Sequence, residues 1–509
     1  MGKSYAKQAR RQDRGGKRAD PNSAPDVDRG TQVKDSPLLY RTLFVGTLVQ
    51  DSALTVGGSE GFGSVDDPLC RDGAGRYTLR GSGLAGALVA TARRLYQERD
   101  LAAISLPPGS ANDAAPLPDS LWRVFTSHPK PDPVSELRPG VGIRQDTGAA
   151  REGALFDTEC LPRGTQWPFL LEVKTGKAGG PQAEGIALAA LREWEQGYCW
   201  AGANIARGLG WMRLTSLRIY RMKQVPAQVD RWPDSSRTLA QMRDELPRIV
   251  QPFSSHEATQ HGIVVPERTA EWHYQDLEGW VRVGQAEDDG YGLDGLAVGG
   301  HGSAVLALPW DHGHLLWPDG AQPPQRADAF DPDFAIALTR AGPNQWAPLI
   351  PGASLRGPLR HALSRHLRIA GTGVRDPLVQ VRRAAGEVAD PAEDLFGSLD
   401  QNATLLVRDA HVEGDWRGAW LQQHAEDEFS AGAYSSAKFD RMAVLRGRFR
   451  WRLIVQAASA EALEGRVAVL KKALNYAEQG FMGLGSQQWR GLGWCRWEIE
   501  RNDRRRAGD

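Results

Sequence analysis

The chain has 509 residues, of which 41% are hydrophobic and 24% charged, so it is too long for one ordinary core and too apolar to be disordered throughout. Lys and Arg number 62 against 62 Asp and Glu, and this formal net charge of +0 excludes nucleic-acid binding by bulk charge while leaving room for local basic stripes. The sequence has no apolar run of about 18 residues, no secretory signal near Lys3 to Arg18 and no Cys-x-x-Cys among Cys70, Cys160, Cys199 and Cys495. A cytoplasmic protein without a membrane span, structural zinc or disulfides is therefore expected.

Residues 1–36 are rich in Lys, Arg, Asp, Gly and Pro and are expected to be a disordered basic arm. Leu43 to Val49 reads as an opening strand, and the glycine-lined loop 55–77 that follows carries Asp66 and Asp67. A helix starts near Ser82, with Leu84, Leu88, Thr91 and Leu95 at helical spacing. The Pro- and Gly-rich stretch 103–135 reads as a loop, Trp167 to Val173 as a strand, about 183–196 as a helix, and Met212 to Tyr220 as a strand after a glycine loop. Residues 223–300 read as a linker with local structure. Ala304 to Leu308 then reads as a second opening strand, and 311–347 as a second loop. A helix begins near Ser354, with Leu355, Leu359, Leu363 and Leu367 four apart and Pro358 early enough to be tolerated. Thr404 to Val407 and Arg448 to Val455 read as strands, about 460–479 as a helix, Trp494 to Ile499 as the last strand, and 501–509 as a basic tail.

An internal repeat organises these elements. Residues 195–211, EQGYCWAGANIARGLGW, and 478–494, EQGFMGLGSQQWRGLGW, align without a gap at an offset of 283, with nine of 17 positions identical. Pro162-Arg163-Gly164 before Trp167 to Val173 parallels Leu445-Arg446-Gly447 before Phe449 to Val455 at the same offset. Gly81 to Gly86 parallels Gly352 to Gly357 at an offset of 271. The expected fold class is α+β: two tandem ferredoxin-like, RRM-like domains with long insertions, over 37–222 and 301–500.

Three landmarks carry candidate chemistry. The glycine loops, with Arg207, Gly208 and Gly210 in one and Arg490, Gly491 and Gly493 in the other, let backbone N–H groups approach a phosphate chain beside a cation. A pair of tight helix-to-strand turns accounts for the same residues. The helix starts, Gly81 and Ser82 after Arg80, and Gly352 and Ser354 before Arg356 and Arg360, form anion-friendly N-termini. Ordinary serine capping is the alternative there. Asp66 in its loop can hold a divalent metal against a phosphate, although Asp-Asp-Pro is also a common turn.

Together these landmarks resemble the RAMP superfamily of CRISPR systems, above all the repeated backbone subunit of type III effector complexes. The resemblance runs through Gly57-Gly58, Val65-Asp66-Asp67-Pro68, Arg71-Asp72, Gly81 to Gly86, Thr147-Gly148-Ala149, Gly153 to Glu159 and the first glycine loop. In the second half it runs through Leu349 to Gly357, Leu395-Phe396-Gly397, Val407 to Ala410 and the second loop. The fused pair is similar to type III-D-like fused subunits. The resemblance implies binding of a guide CRISPR RNA and cleavage of target RNA with Mg2+ or Mn2+, with the ribose 2′-OH as nucleophile. It implies Asp66 as the metal-holding catalytic carboxylate with Asp67 beside it, and RNA contacts at Arg71 and the landmark residues above. It also implies partners among other RAMP subunits and a large type III subunit. In the second half Asp331, then Asp333 and Asp328, are the candidates for a matching carboxylate. A non-catalytic RNA-binding subunit, a guide-RNA processing endonuclease and an unrelated protein scaffold are the competing readings; with His128 the first histidine, far from the opening strand, the endonuclease is disfavoured.

Overall fold

Arg41–Gln50 (β1) is apolar on both faces: Phe44 and Leu48 enter one buried cluster, Leu43 and Val45 another. A strand with two apolar faces needs cover on both sides, and β1 lies in the middle of its sheet. The computed structural model describes residues 41–57, 66–104, 120–144, 150–222, 246–248, 250–284, 336–342, 345–376, 382–383, 386–426, 429–430, 432–486, 488, 491–500 and 504–506. These all fall within one compact unit, Leu38–Asp509.

In the first half, Gly81–Leu95 (α1), Trp122–Val124 (β2), Glu136–Ile143 (β3), Ala150–Cys160 (β4), Gln166–Val173 (β5), Gly180–Glu195 (α2), Cys199–Trp200 (β6) and Trp211–Met222 (β7) follow β1. Among the described residues the sheet is antiparallel, in the order β2-β5-β1-β7-β6. Both helices pack on one face: Leu84, Leu88 and Leu95 of α1 and Ile186, Leu191 and Trp194 of α2 share a core with Phe44, Phe169 and Leu171. The Trp194 indole N–H donates to Thr91 Oγ1 at 2.9 Å, which satisfies the one polar atom of a fully buried ring. The β3–β4 hairpin forms its own two-stranded sheet and exposes Val141, Ile143 and Leu155.

The second half comprises His273–Val283 (β8), Leu338–Gly342 (β9), Gln345–Ile350 (β10), Gly352–Ile369 (α3), Pro391–Phe396 (α4), Leu405–Val407 (β11), Ala410–Val412 (β12), Arg417–Glu426 (β13), Ala433–Ala457 (β14), Ala460–Glu478 (α5), Arg496–Ile499 (β15) and Arg504–Arg506 (β16). Among the described residues the sheet order is β15-β8-β14-β12-β10-β9, with β11 and β13 on β14 and β16 on β8. Thus β8 lies between β14 and β15 as β1 lies between β5 and β7. The early part of β14 pairs with β13 as a hairpin, the counterpart of β3–β4, before its later part enters the sheet.

The structure redraws several expected segments. The stretch 223–300 holds β8, an interior strand of the second sheet, while Ala304–Leu308 lies outside the described residues. The stretch 103–135 holds β2, and 311–347 holds β9 and the start of β10. The repeat shifts by one residue at the third strand: core-facing Trp167, Phe169, Leu171 and Val173 correspond to Phe449, Trp451, Leu453 and Val455. Side chains alternate faces along a strand, so only this register keeps both sets inside. Ser82 and Ser354 do not cap their helices. Each helix starts one or two residues earlier, and the first N–H is taken from a distance, Gly81 by Thr126 Oγ1 at 3.2 Å and Gly352 by Asp409 Oδ1 at 2.8 Å. All four cysteines are buried free thiols. No helix of the described residues is long and apolar enough to cross a membrane.

The halves meet through aromatic rings. Tyr198, Trp200 and Trp211 of the first half pack on Tyr274, Leu406 and Ile454 of the second sheet, all buried. The Tyr198 hydroxyl donates to Asp276 Oδ2 at 3.0 Å, and the Arg452 guanidinium lies 5.5 Å from the Tyr198 ring and 5.9 Å from that of Trp211. Each such ring removes on the order of 150–250 Å² from water, enough to hold the two halves as one body.

Candidate nucleic-acid interface

The glycines of the two loops share one backbone conformation. Gly197, Gly202, Gly208 and Gly210 have φ of 87°, 82°, 105° and 76°, and Gly480, Gly485, Gly491 and Gly493 have 78°, 73°, 87° and 85°. A Cβ on Gly210 would lie 2.0 Å from the Ala201 carbonyl oxygen, and one on Gly493 2.0 Å from that of Leu484. The loop tryptophans close the turn alike: Trp211 donates to Ile205 O and Trp494 to Gln488 O, each at 3.1 Å. The glycines and the tryptophan of the shared RGLGW string are therefore demanded by the turn itself. Gly210→Ala is expected to cost about 1–3 kcal/mol from the positive φ and the overlap together, read as a lower urea midpoint at neutral pH. A wild-type midpoint would contradict the strain.

The first loop also reaches the second half. A Cβ on Gly352 would lie 2.7 Å from both Arg207 O and Gly208 Cα, and one on Gly208 would lie 2.3 Å from Asp409 Oδ1. The fold thus brings Arg207, Gly208, Gly352, Ser354 and Arg356, landmarks from opposite halves, to one place. Arg207 is exposed there. Arg356 donates to Phe396 O, and burial, then the positive charges of Arg207 and Arg360, bring its pKa down to about 9. Arg360 donates to Gly397 O at 3.1 Å, and burial lowers its pKa against the pull of Asp390, Glu393 and Asp376. Arg207 is the exposed cation at this helix start, while Arg356 and Arg360, one and two turns into α3, are engaged with the carbonyls of Phe396 and Gly397. The Gly352 N–H is not free to contribute, since Asp409 holds it.

Asp409 is the anchor of this junction. Its carboxylate accepts from Gly352 N and pairs with Arg138 of β3 at 2.5 Å, with side-chain exposure of 12% for Arg138 and 0% for Asp409. Nearby His411 is buried, and burial, then the charges of Arg163, Arg408 and Arg138, hold its pKa well below the ordinary 6.5, so it is neutral at pH 7. Arg138 carries no sequence signal, being one of several arginines in a hairpin whose partner comes from the other half.

The acidic loop lies against β4. Asp66 is exposed, and its Oδ2 accepts from Asp157 N at 3.0 Å. Asp67 bridges Thr158: its N–H donates to Asp157 O at 3.1 Å and its carbonyl accepts from Glu159 N at 3.0 Å. Glu159, nearly buried, accepts from Leu69 N at 2.9 Å and from Arg71 at 3.1 Å, so the Arg71 charge is already engaged with a protein carboxylate. The Arg71 guanidinium also stacks on Tyr77, 4.0 Å from the ring centre. Arg80 and Ser82 are exposed at the start of α1. Among the described residues no three or more His, Cys, Asp or Glu side chains form a group that could hold a metal. A Mg2+ site needs only one or two carboxylates where substrate phosphates complete the shell, and Asp66 and Asp67 are exposed carboxylates of this loop. Asp328, Asp331, Asp333 and Arg490 lie outside the described residues.

Residues 51–213 match the family model of the RAMP superfamily. The matched stretch begins just after β1, takes in the acidic loop, α1, the β3–β4 hairpin, α2 and the first glycine loop, and ends at the start of β7. No curated protein matches the chain.

Proposed function

We propose that this chain is a guide-RNA-binding backbone subunit of a type III, III-D-like CRISPR effector complex, built from two tandem ferredoxin-like RAMP domains, and that its first domain cleaves target RNA through Asp66. The observation that carries the reading is the match over 51–213 together with the joint order of acidic loop, helix start, hairpin and glycine loop along that stretch. The second half repeats the placement of its first strand between two equivalent neighbours, the hairpin, the helix start and the glycine conformations of the loop, which supports a duplicated domain. Arg207, exposed at the junction, is the cation suited to a guide phosphate.

In this reading the protein's part in cleavage is positional. The backbone bridges between Asp67 and β4, and the brace of Glu159 on Leu69 N, hold the loop so that the Asp66 carboxylate faces solvent where the target backbone passes. A bound Mg2+ or Mn2+, held by Asp66 and a target phosphate, would neutralise charge building on the scissile phosphate. The neighbouring ribose 2′-oxygen attacks phosphorus and the bond to the 5′-oxygen breaks, leaving a 2′,3′-cyclic phosphate; the 2′-hydroxyl proton goes to solvent and the departing 5′-oxygen takes a proton from solvent. A non-catalytic RNA-binding subunit is favoured instead by one observation: the Asp66 carboxylate already accepts a backbone hydrogen bond within the protein.

RNA binding itself is tested at the junction. Arg207→Ala is expected to weaken binding of a repeat-derived RNA and to lower the slope of log affinity against log salt by about one. Filter binding across a salt series measures both. Slopes identical to wild type would leave the loop as a turn alone.

A further inference from the structure

The β3–β4 hairpin belongs to neither large sheet. A two-stranded ribbon has little stability of its own, so the groups that grip its root decide where it stands. Its own half holds it at the foot: Asp67 bridges Thr158, Leu54 bridges Leu161 just past β4, and Cys160 packs on Ala53 and Leu209. The second half holds it from the side of β3. Side chains two apart share one face of a strand, and Glu136 and Arg138 both find partners there. Glu136 accepts from Thr339 Oγ1 at 3.4 Å, and Arg138 pairs with Asp409 at 2.5 Å. Glu136, Thr339 and Asp409 are all buried.

These contacts form one row with the acidic loop. The hairpin register sets Arg138 opposite Thr158, and Thr158 is the residue that Asp67 bridges. Neighbouring strands lie about 4.8 Å apart, so the row from Asp67 through Thr158 to Arg138 spans about 10 Å. Asp66, one residue before Asp67, accepts from Asp157 N on the same edge of β4. At the far end of the row Asp409 takes Gly352 N, so the row ends on the first turn of α3. A buried ion pair adds little net stability, yet it tolerates one arrangement only, because tilting the hairpin would strand two charges away from water.

We propose that Arg138 and Asp409 are positioning residues: their ion pair fixes the tilt of the β3–β4 hairpin, and of the acidic loop on its edge, against the second half, and so selects which target phosphate meets Asp66. The selection of the phosphate rests on the cleavage reading above; the anchoring does not.

The double variant Arg138→Leu with Asp409→Asn tests it, since it removes both charges and leaves an amide oxygen for Gly352 N. All four native cysteines are buried, so spin labels can be placed at Leu155→Cys on the hairpin and Lys472→Cys on α5, both exposed. Pulsed electron resonance is expected to give one narrow distance in the otherwise wild-type chain and in Arg138→Lys, which keeps the pair. The double variant is expected to give a broadened or displaced distance with wild-type circular dichroism. Arg138→Gln, which keeps a donor and loses the charge, gives the same reading where the double variant does not fold. In the guide-loaded complex the double variant is expected to replace one cut by a set of neighbouring cuts, with target binding within a few-fold. Its total rate should fall about 10- to 100-fold, the scale of a misplacement of about 1 Å. Arg138→Lys should retain the single cut. An unchanged distance distribution, or an unchanged single cut, in the double variant would overturn the proposal. A wild-type chain that cuts nothing would remove the cleavage reading instead, and the spin-label distances would then decide the anchoring by themselves.

Discussion

Replacing Asp66 by Ala is expected to abolish one cut in the target RNA, with a loss of about 10²- to 10³-fold in its rate, while guide binding stays within a few-fold. The size follows from removing a ligand for a cation that stabilises several kcal/mol of charge in the transition state, at about 1.4 kcal/mol per factor of ten. The selectivity follows from the loop. Asp66 contributes one side-chain hydrogen bond, to Asp157 N, whereas the path of the loop is held by backbone bonds of Asp67 and by Glu159. The loop therefore survives the substitution, and the stability cost stays near the small values of exposed positions. Asp67→Ala makes the natural comparison, because its side chain reaches only Thr158 Oγ1, at 3.5 Å. It is expected to retain the cut. Mapping the ends of cleaved target in the guide-loaded complex checks both variants, and excess chelator should reproduce the Asp66→Ala pattern. An unchanged set of products in Asp66→Ala would refute the assignment and leave the non-catalytic reading.

The first half was largely legible because its elements are long and strongly patterned. Leu84, Leu88 and Leu95 mark the buried face of α1, and the run Trp167 to Val173 falls within β5. The glycine loops were legible as a repeat, but their physical reason was not: the 2.0 Å approach of Gly210 to the Ala201 carbonyl appears only in three dimensions. The strand β8 was hidden for a related reason. Its core-facing positions run Gln275, Leu277, Gly279, Val281, and Gly279 is required because a Cβ would lie 2.0 Å from Glu498 O and 2.5 Å from the Trp451 ring. A strand whose alternation is broken by a polar residue and a glycine resembles a linker in composition. Of the site, the residue types at the helix starts and loops were readable, while their union at Arg207, Gly208 and Gly352 was not. That union depends on Tyr198, Trp200 and Trp211 docking on the opposite sheet, a contact with no local pattern.

The junction also yields the largest stability effect expected in the chain. Asp409→Asn leaves the Arg138 guanidinium largely buried without its carboxylate, and breaking a buried pair from one side costs about 3–5 kcal/mol. Burial alone would lower the Arg138 pKa, but the charge of Asp409, with help from Glu136, holds it above its ordinary value, so the guanidinium stays charged and cannot escape by losing a proton. Glu136 remains after the substitution, which places the expected cost toward the lower end of that range. Asp409→Ala also removes the acceptor for Gly352 N and should cost about 1 kcal/mol more, as loss of a helix cap does. Urea unfolding at neutral pH measures both variants. The decisive comparison is Arg138→Leu combined with Asp409→Asn: with both charges gone the desolvation cost of each goes too, and most of the lost stability should return. Failure of that recovery would mean that Asp409 acts through the helix start alone. Recovery would show that the ion pair tunes how the first loop meets α3 without being needed to hold the halves together, a task the buried rings at the junction carry.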